Sequence, residues 1–388
     1  MIKPIKFALL TALLIIAVGG ANAQSATRLQ TPQLDADYAK GVSGHIAASL
    51  AEDYVVLVGG CNFPDAPAAE GGAKRFYSHV YATCGLLSGQ EWERLGNLPE
   101  PLAYAAGRTY LGRLIVAGGQ TTGGRELASV YAISVDEAGK LTTETLPSLP
   151  QPRSAMASAL IRSRLYLIGG SVAGRLSNSV ISLDLDEPQL GWREERSYPG
   201  SALLKVLATE YWLDEEPYIY FMGAFSGSEG EEGVRTALSC YTLRADDQEA
   251  SWQRIPVPYA SIRRGATFGG GIMSLYAEDE IMVTSGVHEA KFLSALQRIQ
   301  RLRRAKRLGQ SSVTSRLEAE GRAYLLHEPE WYSFTPFILV YNLRTQKWRR
   351  EHAHPDLARA DAAYLDGIII GGEIKPGVRT SSIVRVQH

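Results

Sequence analysis

Six times along this 388-residue chain an apolar run ends at a glycine-bearing turn, and a second apolar run follows after a loop. The clearest copies are YVVLVGG at 54–60, RLIVAGG at 113–119, RLYLIGG at 164–170 and LDGIIIGG at 365–372; PYIYFMGAF at 217–225 and DEIMVTSGV at 279–287 are weaker. The second runs read HVYATC, SVYAIS, SVISLDL, LSCYTL, FILVYNL and SSIVRV. Several units then close on a Trp-bearing or Pro-punctuated stretch such as WERLGNLP, GWREERSYP or WQRIPVP. Segments of small residues, among them LAYAAGR, RSAMASALI, RRGATFGGG and ARADAAYL, stand ahead of units. Runs this short, rich in Val, Ile, Leu and Tyr and bounded by glycine, are strands rather than helices.

Four short strands per unit, recurring at roughly 50 to 60 residues, predict an all-β fold, a six-bladed kelch-type β-propeller over residues 24–388. Small residues suit the innermost strand, where blades crowd the axis, and paired glycines let the chain turn tightly after the second strand. The last unit stops after its third strand, SSIVRVQH, and a ring left open there would expose an edge. The expected closure is an outer strand from the mature N-terminus, ATRLQ at 26–30, with GHIAASLAED beginning the first blade. In such a blade the second strand returns to the face from which the first departed, so all the loops after the glycine marks share one mouth of the channel. Two are long, 61–77 and His288 to about Pro336, and long loops on a rigid scaffold are where sites lie. The second, in the fifth blade, is expected to be a helical insertion over about 288–330: Phe292, Leu296, Ile299 and Leu302 recur at helical spacing. The run RIQRLRRAKR is then the solvated face of that helix, not a nucleic-acid surface.

The opening MIKPIKFALLTALLIIAVGGANAQ has basic residues, a short apolar core and the small-residue site Ala21-Asn22-Ala23, and predicts a secretory leader over 1–23 with a periplasmic mature protein. No later segment is long and apolar enough to span a bilayer as a helix, so no membrane partner is expected. A formal net charge of −1 argues against a nucleic-acid partner. Three cysteines are too few for a disulfide scaffold. Cys61 and Cys84 fall at opposite ends of neighbouring strands, about 20 Å apart at strand spacing, beyond disulfide reach. His352 and His354 lack companions at ligand spacing, so no metal is expected.

The stretch GGEIKPGVRT at 371–380 resembles the signature of bacterial N-acetylneuraminate epimerases, the sialic acid mutarotases, which are periplasmic six-bladed kelch propellers. GGCNFPDAPAAEGGAKRFYSHVY is similar to that family's Gly-rich first loop, SGVHEAKFLSAL to its helical segment, and HEPEWYSFTPFILVYN to the aromatic return from it. The order of blades is rotated, as in a circularly permuted branch of the family. Departures are the cysteine of GGC at 59–61 and His288-Glu289 in a loop that often carries Asn.

The resemblance implies a cofactor-free isomerase that opens and recloses a sugar ring, with Glu373 as general base and acid and Arg379 beside it at the anomeric centre. One carboxylate suffices because closure reverses the proton transfers of opening, and a guanidinium suits the carboxylate of a sugar acid such as sialic acid. By position alone, Arg153, Arg264 and Arg359, near the starts of inner strands, and Asn62, Phe63 and His288, in the long loops, are further candidate sugar contacts; Trp331 and Tyr332 are candidate pocket walls. Against the arginines stands a scaffolding role, and against Glu373 and Arg379 a surface salt bridge. Two other functions remain open, a non-catalytic carbohydrate-binding or protein-interaction propeller and an isomerase of another sugar acid. A sialidase is disfavoured by the lack of repeated Ser-x-Asp-x-Gly-x-x-Trp motifs.

Overall fold

The computed structural model describes residues 29–51, 54–86, 91–136, 138–227, 233–247, 249–258 and 265–386. The leader at 1–23, residues 26–28 of the closing strand and Arg264 lie outside these residues.

Second strands carry nearly unbroken apolar runs because both of their faces are covered. In Tyr54–Val58, Val56 and Val58 join Leu114 and Val116 of the following sheet, while Val55 and Leu57 face Ile368 and Ile370 of the last sheet. Alternate side chains point to opposite faces of a strand, so each sheet packs against a neighbour on both sides. The pattern repeats: Arg113–Ala117 sends Ile115 and Ala117 toward Leu165 and Leu167, and Arg164–Ile168 sends Tyr166 and Ile168 toward Ile219 and Phe221.

Among the described residues six antiparallel sheets follow one another this way. Their inner strands are Ile46–Ala51, Ala106–Tyr110, Ala157–Ile161, Leu207–Leu213, Ile272–Ala277 and Ala363–Leu365. Apolar clusters join each sheet to the next, and Ile272, Met282, Ile369 and Val386 join the fifth to the sixth. Clusters from the sixth sheet back to the first close the ring, making a β-propeller. The small-residue segment RRGATFGGG is not itself the fifth inner strand; that strand begins just after its glycines, at Ile272.

Ring closure involves both ends of the chain. Residue 30 pairs antiparallel with Ser382, the amide of Ile383 donates to the Leu29 carbonyl, and that of Thr31 donates to Ser381, at 2.9 and 2.8 Å. The tryptophans of the outer strands show that this segment stands where a sixth outer strand belongs. Trp192, Trp252 and Trp348 each donate the indole N–H to a backbone carbonyl at the outer end of the preceding sheet, Pro147, Arg196 and Pro256 respectively. Trp92 of the first sheet donates in the same way to Gln30.

Between the second and third strands of the fifth sheet lie α1 (Glu289–Arg307), α2 (Ser311–Leu325) and α3 (Pro329–Tyr332). Phe292, Leu293 and Leu296 of α1 pack with Phe225, Val287, Tyr332 and Phe334 at the mouth of the ring, while Arg301, Arg303, Arg304 and Arg307 are exposed. Ile299, on the expected apolar stripe, is itself exposed at 42%. It lines a cleft between the helices and the first long loop. All three cysteines are free, and the register that pairs Cys84 with Tyr54 puts it at the end of the sheet away from Cys61.

Candidate active site

The loop after the last glycine pair folds into a hairpin of its own. Glu373–Lys375 pairs with Val378–Arg379, and the turn between them is Pro376-Gly377. Proline followed by a residue at positive φ, here Gly377 at +86°, is the order a type II turn requires. Because Glu373 and Arg379 are directly opposed in register, their side chains leave the hairpin on the same face. That accounts for a spacing of six residues in so short a loop. Lys375 donates to the His327 carbonyl of the helical insertion at 2.7 Å, and Ala68 of the first long loop covers Gly377. The hairpin is therefore clamped from two sides.

Arg379 Nη1 lies 3.0 Å from Glu373 Oε1 in an ion pair whose geometry is not that of an aligned hydrogen bond. The same Oε1 accepts the Gly377 amide at 2.9 Å, and Arg379 Nε donates to Ser43 Oγ at 3.0 Å. The guanidinium lies over the Phe63 ring, 4.9 Å from its centroid. Its side chain is 3% exposed, against 18% for Glu373. Burial alone would depress the Arg379 pKa, but the Glu373 carboxylate, with Tyr104 and Cys61, outweighs it and raises the pKa. This is a partly desolvated pair, not a surface salt bridge.

Glu373 and Arg379 border a cavity of about 490 Å³ at the axis, whose wall includes Gly44, Tyr104, Ala155, Lys205, Gly270 and Asp361, one residue from just before each of the six inner strands. Tyr104 is pushed well up in pKa, chiefly by burial, with the neighbouring carboxylates of Asp361 and Glu373 acting in the same direction. Its hydroxyl lies 3.4 Å from Cys61 Sγ and from Lys74 Nζ. Across the mouth, Lys205 Nζ holds both Asp361 oxygens at 2.8 and 2.7 Å. A second cavity, about 590 Å³ and largely apolar, opens between α1, α2 and residues 68–71; Glu373 and Pro376 border it as well.

The other candidates are placed differently. Asn62 is 2% exposed and fully used within the protein. It donates to the Asp37 and Gly41 carbonyls at 2.7 and 2.9 Å and accepts from the Tyr77 hydroxyl at 2.8 Å. Arg153 donates to the Leu167, Gly169 and Ser179 carbonyls and to Ser179 Oγ, and burial lowers its pKa to about 10. Arg359 does the same in the last sheet, donating to Asp356, Gly371 and Ser382. Both arginines brace the first glycine of a pair against the following strand, so scaffolding is the reading that holds for them. His288 caps the start of α1, with its ring against Gly265. None of these four borders the axial cavity. Tyr332 is buried within the insertion, while Trp331 stacks on His327 at 3.9 Å. Tyr104, Lys205 and Asp361 were not legible as site residues: each stands alone in an unremarkable segment, and only their shared position before the inner strands links them.

Fold and site together define a β-propeller that holds a carboxylate and a guanidinium in its axial mouth, a class suited to small polar ligands. A sequence model described as N-acetylneuraminate epimerase matches residues 146–388, and the chain belongs to that family. The N-acetylneuraminate epimerase of Haemophilus influenzae (strain PittEE) is 26% identical over 245 residues, 61% of this chain and 58% of the relative. That of Salmonella typhimurium LT2 is 23% identical over 269 residues, 67% of this chain and 62% of the relative. The matched region thus spans about three fifths of the length of these curated relatives. A solved structure, "Structure of YjhT", aligns with a TM-score of 0.48 at 22% identity, over 63% of this chain and 64% of that one.

Proposed function

We propose that this protein is a sialic acid mutarotase that interconverts the α and β anomers of N-acetylneuraminate. The observation that carries the reading is the Glu373 carboxylate held 3.0 Å from the Arg379 guanidinium on the wall of the axial cavity. The Gly377 amide and the Arg379 guanidinium both approach Oε1, the first as a hydrogen-bond donor and the second as an ion pair, which leaves Oε2 to take the proton of the anomeric hydroxyl. As that proton leaves, the ring C–O bond breaks and the Glu373 carboxyl passes the proton on to the ring oxygen, giving the open-chain keto acid and the free carboxylate. The carbonyl presents its other face, and closure runs the same transfers backwards through the same carboxylate. Arg379 stays protonated throughout and holds the substrate carboxylate next to the reacting carbon.

The test is NMR of freshly dissolved α-anomer with wild type and Glu373→Gln. Wild type is expected to accelerate interconversion, and the variant, folded by circular dichroism, to fall to the uncatalysed rate. Equal acceleration by the variant removes Glu373 from the mechanism; binding without acceleration by wild type converts the reading to a sugar-binding propeller.

The same reading takes the repeats as kelch-type and the blade order as rotated relative to the family. A linear match that starts at residue 146 and runs to the end of the chain is what a rotated order produces. It also takes residues 1–23 as a leader and the mature protein as periplasmic, which N-terminal sequencing of the exported protein tests.

A further inference from the structure

Two residues before each inner strand the backbone turns left-handed. Gly44, Tyr104, Ala155, Lys205, Gly270 and Asp361 have φ of 66°, 58°, 50°, 58°, 71° and 51°. Backbone hydrogen bonds run from one such residue to the next: Gly44 donates to Asp361, Tyr104 to Gly44, and Ala155 to Tyr104, at 2.7 to 2.9 Å. Asp361 in turn donates to Gly270. The six residues stand around the mouth, and each of them borders the cavity. Positive φ is tolerated by Asp but is a real cost for Tyr and Lys, and such cost persists where it serves a site.

Small and large members alternate for a steric reason. The Tyr104 ring lies over Gly44, where a Cβ would meet it at 2.7 Å. The contact between Lys205 and Asp361 passes over Gly270, where a Cβ would meet Asp361 Oδ1 and Lys205 Nζ at 2.9 Å. The fourth and sixth sheets can clasp across the fifth only because the fifth contributes no side chain.

We propose that Lys205 and Asp361 are specificity-determining residues that grip adjacent hydroxyls on the tail of the sugar acid, while Glu373 and Arg379 work at its carboxylate-bearing carbon. The proposal rests on the mutarotase reading and deepens it. Asp361 follows Ala360, which exchanges both backbone hydrogen bonds with Glu373 at 2.8 and 2.7 Å, so the two ion pairs stand side by side. The ammonium is steadied by the Phe292 ring, 5.6 Å from its centroid. Side-chain exposures of 19% and 15% leave both groups partly open. Each keeps hydrogen-bonding capacity: the ammonium has a third N–H, and each carboxylate oxygen a further lone pair. A pair whose charges cancel suits a neutral diol rather than a second anionic group, with donor and acceptor at hydroxyl spacing.

The experiment measures N-acetylneuraminate binding by calorimetry and anomer exchange by NMR in parallel, on wild type, Asp361→Asn and Lys205→Met. Asn accepts the left-handed backbone and keeps the shape, so Asp361→Asn guards against loss of fold. Both variants are expected to weaken binding by about ten- to a hundredfold, the range for lost hydrogen bonds to charged groups, with the loss read in KM more than in kcat. Toward an analogue lacking the glycerol tail, variants and wild type are expected to bind alike. Unchanged binding of N-acetylneuraminate by the variants, or equal losses for both ligands, overturns the assignment. Wild-type binding without catalysis, weakened by the variants, refutes the mutarotase reading and supports the binding pair. A wild type that binds no N-acetylneuraminate overturns both.

Discussion

Lowering the pH from 7 to 5 is expected to weaken this fold through one buried side chain, His45. It precedes the first inner strand, is 6% exposed, and packs against both glycine turns that flank it: a Cβ on Gly60 or Gly371 would come within 2.9 Å of it. Neither ring nitrogen has a well-aligned partner, although the Ile370 backbone lies close enough to favour the protonated ring. Burial lowers its pKa from 6.5 to about 4, and the Ile370 contact only partly offsets this. The sign follows from linkage: a depressed imidazole is neutral in the folded state while the unfolded chain takes up its proton, so stability falls as pH drops below about 6.5 and levels off below the folded value. Integrating between pH 7 and pH 5 gives a loss of about 2 kcal/mol from this residue. Carboxylates add their own pH dependence, so the measurement is a comparison. Denaturant unfolding of wild type and His45→Leu at pH 7, 6 and 5 should show the wild type losing about 2 kcal/mol more than the variant. Parallel curves would mean that His45 is protonated in the folded protein and that a partner for it exists in the mouth.

Arg379→Lys keeps the charge but loses the planar donor set that reaches Ser43 and Glu373 together. kcat/KM for anomer exchange is expected to fall about ten- to a hundredfold, and wild-type kinetics would show that charge alone suffices. Asn62→Ala removes three hydrogen bonds, two of them buried, and should cost about 2–4 kcal/mol in denaturant unfolding, with kcat/KM per folded molecule close to wild type. Unaltered stability with lost activity would return Asn62 to the site.

Periodicity made the sheets legible. The YVVLVGG and RLYLIGG runs announced strands covered on both faces, and the truncated last unit announced a closing segment, because an open sheet edge is a physical defect a sequence can display. The hairpin carrying Glu373 and Arg379 was legible for a similar reason: Pro376 and Gly377 encode the turn that puts the two side chains on one face. Arg153 and Arg359 could not be read from sequence alone, because a buried guanidinium bracing carbonyls and a guanidinium awaiting a ligand look the same there. Only the carbonyls of Gly169 and Gly371, brought near by folding, decide between them. Lys205 and Asp361, 156 positions apart, meet across a glycine of a third sheet, and no local pattern encodes such a meeting.

The seam of the ring explains where the site is built. Residues 29–31 complete the last sheet, Ser43 just after them anchors Arg379, and the packing at Gly41 is so close that a Cβ would lie 2.3 Å from the Thr380 backbone. Arg379 thus receives its orientation from the opposite end of the chain, and Glu373 receives its own from Arg379 and Gly377. A propeller can be cut between any two blades if its ends meet again, since each sheet is held by its neighbours rather than by chain order. In this ring the contacts near the meeting of the chain ends include Ser43, which holds the guanidinium, so the orientation of Arg379 depends on the two ends of the chain being packed together.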